Sequence, residues 1–205
     1  MRKNRNYKRK QGHRDAVLFV IACEGQITER RYFEALAAGK QRLQVRTMSP
    51  DQNKSAPKYV VGCADRFLDG TGGIEEGDQV WIVIDRDRWT SKGMHEARSA
   101  CKEKGYQLLV SNPCFELWLY LHLDTPKLSP KAIANLYDCR SIKDALKAEH
   151  PDGYNSSHYD PVWFVARTDI ALGRIDTYLT AAPDLFKDDS GTNIHELVRA
   201  IRGFK

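Results

Sequence analysis

Five apolar residues, Val80 to Ile84, lead directly into two aspartates, Asp85 and Asp87. A continuous apolar run with polar flanks predicts a strand that is buried on both faces, as in a parallel sheet. Because strand side chains alternate between faces, Asp85 and Asp87 are expected to point the same way. Two such carboxylates repel each other unless a cation lies between them, and Mg²⁺ prefers oxygen ligands of this kind. A solvated turn is the alternative interpretation.

A second apolar run, residues 16–23, also predicts a buried strand, which ends at Glu24 and Gly25. A helix is predicted to follow this strand after Thr28, and Gly39 is expected to end that helix. Further strands are predicted at 43–48 and 106–110, and further helices at 58–68 and 94–104. Strands that alternate with helices of this length predict an α/β fold, a Rossmann-like parallel sheet flanked by helices.

Carboxylates follow two strands of this predicted sheet. Glu24 comes after the first strand, and Asp85 and Asp87 come after the third. Ligands of parallel sheets bind outside the carboxyl ends of the strands, so these three side chains are expected to share one edge. Their convergence favours a metal site over a solvated turn.

A fourth carboxylate, Glu116, lies in a predicted helix, residues 114–122, that is apolar on nearly every side. Asn112 and Pro113 suit the start of this helix, which should be deeply buried. A buried carboxylate needs a partner or a metal. Glu116 is therefore expected either to join the site or to bind an internal arginine or backbone donors. His122 is expected to be an interior histidine.

After about Leu123 the pattern predicts only helices, at 130–137, 141–149, 162–182 and 194–201. We therefore predict an α/β domain at 16–123 and a helical part at 124–205 that packs on it. Aromatic residues of the helical part fit either a surface for a base or a partner, or ordinary core packing: Tyr154, Tyr159 and Trp163.

The positive charge is concentrated at the start of the chain. The net charge is +5, and residues 1–15 hold seven Lys or Arg against one acid. This basic tail is either a flexible, solvated start or an arm that touches nucleic-acid phosphates.

The five cysteines are scattered without a Cys-x-x-Cys pair, which predicts neither a disulfide framework nor a zinc ribbon. Cys23 and Cys114 lie in apolar stretches and are expected to be small buried side chains. No apolar run reaches the roughly 18 residues of a membrane span, and no signal-peptide core follows the basic start. A cytoplasmic protein without membrane contact is expected.

Four motifs together resemble the RloB-like family, over most of the chain after residue 15. The motifs are Cys23–Glu29 with Tyr32 and Phe33, Asp85–Asp87, Ser111–Trp118 with Leu121 and His122, and Gly191–His195. RloB-like proteins are bacterial and are similar to the Toprim fold of topoisomerases, primases and overcoming-lysogenisation-type nucleases. They are found in restriction-modification and abortive-infection loci, often beside an ATPase.

The resemblance implies roles for each acidic residue. Glu24 matches the Toprim glutamate, a metal ligand or general acid/base, and Asp85 and Asp87 match the pair that holds Mg²⁺ or Mn²⁺. Glu29 is then a candidate second-metal ligand or organiser of the phosphate site, with an exposed first-turn acid as the alternative. Glu116 matches the glutamate of the Asn-Pro-x-Phe-Glu block.

The expected function is a metal-dependent nuclease of phage defence that cuts DNA or RNA, including tRNA. Cations near the site are predicted to bind the phosphate backbone: Arg86, Arg88, Lys92 and Lys54. The main alternative is a subunit that binds nucleic acid or an ATPase and is inactive alone. A glycosyltransferase with Mn²⁺ on the Asp-x-Asp leaves Glu24 unexplained. A haloacid dehalogenase phosphatase requires its Asp-x-Asp on the first strand.

Overall fold

A five-stranded sheet organises the computed structural model, which describes residues 15–50, 56–87, 89–124, 138–178 and 190–204. The strands are β1 (Val17–Cys23), β2 (Leu43–Met48), β3 (Gln79–Asp85), β4 (Gln107–Asn112) and β5 (Gly191–Thr192). Their order is β2-β1-β3-β4-β5, and all neighbours are parallel except β4 and β5. The predicted α/β class with a parallel sheet is confirmed.

Helices cover both faces of this sheet. They are α1 (Thr28–Ala37), α2 (Pro57–Thr71), α3 (Ser91–Lys104), α4 (Glu116–Tyr120), α5 (Cys139–Glu149), α6 (Pro161–Val165), α7 (Thr168–Tyr178) and α8 (His195–Gly203). Alternation along β1 sends Phe19 and Ile21 to one core and Leu18 and Val20 to the other. Helices α2 and α3 pack on the second core, and the other helices pack on the first. The continuous apolar runs of β1 and β3 are explained by this two-sided burial.

The C-terminal part of the chain also contributes to the sheet, so the prediction of helices only after Leu123 is wrong. Strand β5 pairs antiparallel with β4, with Thr192 opposite Ser111. Asn193 continues the pairing, because its backbone donates to Val110 O and its Oδ1 accepts from Val110 N at 2.7 Å. A two-residue strand is too short to show a periodic pattern in the sequence.

Two predicted helices differ from the observed ones. The single helix predicted at 162–182 is divided into α6 and α7, because the backbone tightens where Arg167 N donates to Phe164 O. Thr168 also bonds back to the Val165 carbonyl at 2.7 Å. Helix α4 is shorter than predicted, since the chain turns at His122 and Leu123 with similarly tight bonds. The basic tail up to residue 14 and the helix predicted at 130–137 lie outside the described residues.

Cys114 and Cys139 are paired as a disulfide that joins the segment before α4 to α5, although the scattered cysteines predicted no disulfide framework. The two residues are 25 apart in sequence, and only the packing of α5 on α4 brings them together. Cys114 is buried, as expected, and Cys23 is buried and free. His122 is an interior histidine, as expected, and its ring contacts Tyr32 Oη at 3.1 Å. None of the described helices has the length and apolar character to cross a membrane.

Candidate functional site

A pocket of about 360 Å³ opens at the carboxyl edge of the sheet. All five acidic residues singled out in the sequence line it: Glu24, Glu29, Asp85, Asp87 and Glu116. They come from four segments, namely the end of β1, the first turn of α1, the end of β3 and the start of α4. The structure therefore brings the predicted site acids together.

Two hydrogen-bond donors fix Glu24, one at the end of β3 and one in the loop that follows it. Its Oε2 accepts from Trp89 Nε1 at 2.9 Å and from Asp85 N at 3.3 Å. The pKa of Glu24 is raised to about 7, chiefly by burial; the two hydrogen bonds act against this shift, and the charges of Asp87 and Glu29 add to it. Trp89 was missed in the sequence, where nothing but its position near Asp87 marks it.

Asp85 connects β3 to α4, because its Oδ1 accepts from Phe115 N at 2.9 Å. Burial holds the pKa of Asp85 well above its usual range, and the neighbouring charges of Glu29, Glu116 and Glu24 act in the same direction. Asp87 N donates to Pro113 O at 3.1 Å, which ties the second aspartate to the same segment. The Ser-Asn-Pro block thus holds both aspartates in place.

Glu29 is a buried residue with 4% exposure and not the exposed first-turn acid of the alternative interpretation. Its Oε1 accepts from Gly25 N at 3.0 Å. Burial, followed by the charge of Glu116, raises the pKa of Glu29 to about 7. The approach to Gly25 is so close that a Cβ there would lie 2.2 Å from Glu29 Oε2. A glycine at position 25 is therefore required for this arrangement.

Glu116 is paired with side chains from the C-terminal part of the chain. Its Oε1 accepts from Tyr154 Oη at 3.1 Å and lies 3.3 Å from Lys143 Nζ. Among the described lining residues, Lys143 carries the only positive charge. Lys143 could not be identified from the sequence, because a single lysine on an amphipathic helix has no pattern that separates it from solvated lysines.

The loop before α6 forms one wall of the pocket. Ser156 and Ser157 line it, and their carbonyls accept from Thr28 Oγ1 at 3.4 Å and from Arg31 Nη1 at 3.2 Å. Tyr159 Oη also donates to Thr28 O at 2.6 Å. The start of α1 therefore holds this loop beside the acidic residues.

The predicted phosphate-binding cations have different surroundings. The guanidinium of Arg86 donates to the backbone oxygen of Trp89, so it turns toward the loop after β3. Lys92 is exposed on α3 and lies 3.9 Å from Glu96, and neither Arg86 nor Lys92 lines the pocket. Arg88 and Lys54 lie outside the described residues.

The donor set fits a hard divalent cation. Clustered carboxylates that raise one another's pKa are stabilised by an ion such as Mg²⁺ or Mn²⁺, which prefers oxygen ligands. Among the described residues, three ligand atoms within 4.8 Å of one another occur only at Cys114, Glu116 and Cys139, where the two sulfurs are joined in the disulfide. No three of the described pocket carboxylates lie that close together, so binding one ion would require side-chain rotation or a share of the ligands between two ions.

Fold and pocket define this protein as an α/β protein with an acidic site at the carboxyl edge of a mostly parallel sheet. The family model of the RloB-like proteins matches residues 19–201, a range that includes all the pocket residues named above. The chain therefore belongs to the RloB-like family, as its motifs predicted. No curated protein and no solved structure matched the chain.

Proposed function

We propose that this RloB-like protein is a metal-dependent nuclease that cuts phosphodiester bonds of DNA or RNA, with tRNA as one candidate substrate. The observation that carries the proposal is that five carboxylates and, among the described lining residues, one lysine share the same pocket. Carboxylates that hold divalent cations beside a phosphate are a common solution for phosphodiester hydrolysis. The defence role and an ATPase partner rest on the family resemblance alone.

Glu24, Asp85 and Asp87 are the proposed metal ligands, and Glu29 would hold a second ion or organise the phosphate. A bound Mg²⁺ or Mn²⁺ supplies Lewis-acid stabilisation of the negative charge on the phosphate. Glu24 is alternatively the group that takes the proton of the attacking water. A pKa of about 7 suits that task, because a general base works best when its pKa is near the operating pH.

Lys143 is the proposed contact for the charge that develops on the phosphate. Its side chain is half-exposed and lines the pocket, and its amine is paired with Glu116, whose carboxylate also accepts from Tyr154. A fixed positive charge that is aimed at a transition state lowers the barrier more than a mobile surface lysine does. Glu116 is then a positioning residue for the amine, in addition to its place among the acids.

A partner-dependent subunit is the second candidate function. Two large apolar side chains are exposed on neighbouring helices, Val162 at 63% on α6 and Ile170 at 37% on α7. A protein partner that covers these side chains would bury their apolar surface. In this case the nuclease pocket would act only after an ATPase binds.

The test is cleavage of labelled plasmid, single-stranded DNA and total tRNA with Mg²⁺ or Mn²⁺, with EDTA as the blank. Asp85→Asn keeps the oxygen that accepts from Phe115 N but removes the charge, and Glu24→Gln keeps the acceptor for Trp89. We expect each variant to lose cleavage by on the order of 100-fold or more. The matched control is Asp65→Asn, which removes a charge that binds Tyr106 and Lys104 away from the pocket.

Cleavage that survives in both pocket variants would contradict the proposed site. Absence of cleavage by the lone wild-type protein, together with Mg²⁺ binding that Asp85→Asn abolishes, would favour the partner-dependent subunit. The same assay with the neighbouring ATPase would then decide between the two candidates.

A further inference from the structure

The Cys114–Cys139 disulfide lies beside the acidic pocket. The two Cα atoms are 5.6 Å apart, which is inside the range that disulfides span. Cys114 is fully buried, whereas Cys139 is the half-buried first residue of α5. The other described cysteines are free and lie elsewhere in the fold: Cys23, Cys63 and Cys101.

The disulfide and the pocket lysine contact the same carboxylate. Cys139 Sγ lies 3.8 Å from Glu116 Oε2, and Lys143 Nζ lies 3.3 Å from Glu116 Oε1. Residues four apart lie on the same face of a helix, so Cys139 and Lys143 approach Glu116 together. The bond to Cys114 therefore holds the start of α5, one helical turn before Lys143, beside the carboxylate that the amine contacts.

The rest of α5 has its own anchors. Ile142 and Leu146 are completely buried, and Glu149 accepts from Tyr120 Oη at 3.0 Å. Asp138 caps the first turn through its side chain. Opening the disulfide is therefore expected to leave α5 folded and packed, while it frees Cys139 Sγ from Cys114 and changes the surroundings of the Glu116 carboxylate that holds Lys143. A local change of this kind, next to a site, is what a switch requires.

We infer that Cys114 and Cys139 form a reversible redox-modification site that positions Lys143 at the pocket. The oxidised pair holds the amine on Glu116, and the reduced pair lets it move away. The oxidant is a low-molecular-weight disulfide such as oxidised glutathione, and the reductant is the corresponding thiol.

Exchange begins at Cys139, because Cys139 is half-buried whereas Cys114 is fully buried. Its thiolate attacks the small disulfide, a mixed disulfide forms, and one small thiol leaves with the proton from Cys139. Cys114 then attacks Cys139 Sγ, its proton passes to the second departing thiolate, and the protein disulfide closes. Two electrons and two protons have moved from the cysteine pair to the small disulfide.

The consequence for cleavage rests on the proposed function, whereas the modification itself does not. If Lys143 stabilises charge on the phosphate, loosening it lowers the rate, and a displacement of about 1 Å can cost on the order of tenfold to 100-fold. We therefore expect the oxidised protein to cut at least tenfold faster than the reduced protein.

In the test, the full chain is equilibrated in glutathione buffers that range from fully reducing to fully oxidising. The protein is then rapidly alkylated, and its peptides are mapped. We expect a linked Cys114–Cys139 peptide that appears and disappears at one redox midpoint, while Cys23, Cys63 and Cys101 are alkylated as thiols throughout. Cys139→Ser removes the link, and Cys63→Ser is the matched control because Cys63 is a half-buried free cysteine in α2.

A second measurement follows Lys143 without reference to cleavage. The rate at which an amine-reactive reagent labels Lys143 is expected to be several-fold lower in the oxidised protein, in which the amine is held on Glu116. Cys139→Ser should show the faster rate in both buffers, and Cys63→Ser should behave as the wild type. Cleavage assays on the same samples should change in step with the labelling.

Absence of the linked peptide in the most oxidising buffer would overturn the inference, as would a Lys143 labelling rate that is equal in both states. Stoichiometric Zn²⁺ on the reduced protein would also overturn it, because Cys114, Glu116 and Cys139 would then be a metal site. If the nuclease proposal is wrong, only the cleavage assay fails, because peptide mapping and lysine labelling do not depend on cleavage.

Discussion

At the scale of single residues, the pocket depends on short distances between groups that repel one another. Glu24, Glu29 and Asp85 all carry raised pKa values, with burial as the first cause and their neighbours' charges as a further one. Backbone donors oppose this effect, and the bond from Gly25 N to Glu29 is one of them. A bound cation would therefore stabilise the charged form of each of these carboxylates.

Gly25→Ala is expected to displace the Glu29 carboxylate, because the added Cβ would meet Glu29 Oε2 at 2.2 Å. We predict that Mg²⁺ affinity and cleavage fall by on the order of tenfold or more, as for misplaced ligand groups. Isothermal titration with Mg²⁺ and the cleavage assay provide the measurement.

Gly62→Ala is the matched control for this substitution. Gly62 lies inside α2, and a Cβ there meets only the end of Arg66 at 3.7 Å. An alanine inside a helix is expected to stabilise the protein by about 0.5–1 kcal/mol with unchanged Mg²⁺ affinity. Equal Mg²⁺ affinity in Gly25→Ala and wild type would show that Glu29 does not need its present position.

At the scale of elements, the edge of the sheet is completed by the C-terminal segment. Asn193 imitates a neighbouring strand: its Oδ1 accepts from Val110 N at 2.7 Å and its Nδ2 donates to Leu108 O at 3.4 Å. Thr192 contacts Ser111 through their hydroxyls at 2.8 Å. The Thr-Asn motif thus has a structural role, and it supports β4, the strand that leads to the Glu116 block.

Asn193→Ala is expected to lower the free energy of unfolding by about 1–3 kcal/mol, because Val110 N loses its acceptor at a half-buried position. Urea unfolding measures the loss, and hydrogen exchange at Val110 should accelerate with it. Asn155→Ala serves as the control, since Asn155 is exposed and bonds only locally to Ser157 N. Losses of the same size in both variants would argue against a special role of Asn193.

At the scale of the whole molecule, stability and metal binding are expected to be linked through pH. Glu24 and Glu29 have pKa values of about 7 in the folded protein, against an ordinary value of 4.5. Between these values the folded state keeps protons that the unfolded state has released, so this contribution to stability falls as the pH rises from about 4.5 to 7. Above pH 7 the loss is complete.

Glu24→Gln tests this effect, because titrating groups that the Glu24 charge does not shift, such as His122, cancel when the variant is compared with wild type. In EDTA, we predict that the variant gains on the order of 1–3 kcal/mol over wild type between pH 5 and pH 8. Urea unfolding at both pH values is the measurement, and Mg²⁺ should close the gap at pH 8 by stabilising the wild type. A gap that is the same at both pH values would contradict the raised pKa.

Local patterns determined the sheet and the acidic edge of this protein. Apolar runs at 16–23 and 80–84 require burial on both faces, and a strand that is buried in this way sends its final residues to the edge where ligands bind. For that reason Glu24, Asp85 and Asp87 could be placed from the sequence. The apolar helix around Glu116 also predicted its burial, and the motifs added Glu29; the burial of Glu29 and the partners of both residues could not be predicted.

Tertiary packing alone decided which residues of the C-terminal part join the acids. Ile142 and Leu146 seat α5 on α4, and this contact brings Lys143 and Cys139 to Glu116. Strand β5 likewise pairs with β4 although the paired residues are about 80 positions apart in sequence. Contacts between segments so far apart depend on how whole elements pack, and neither periodicity nor a local motif encodes them.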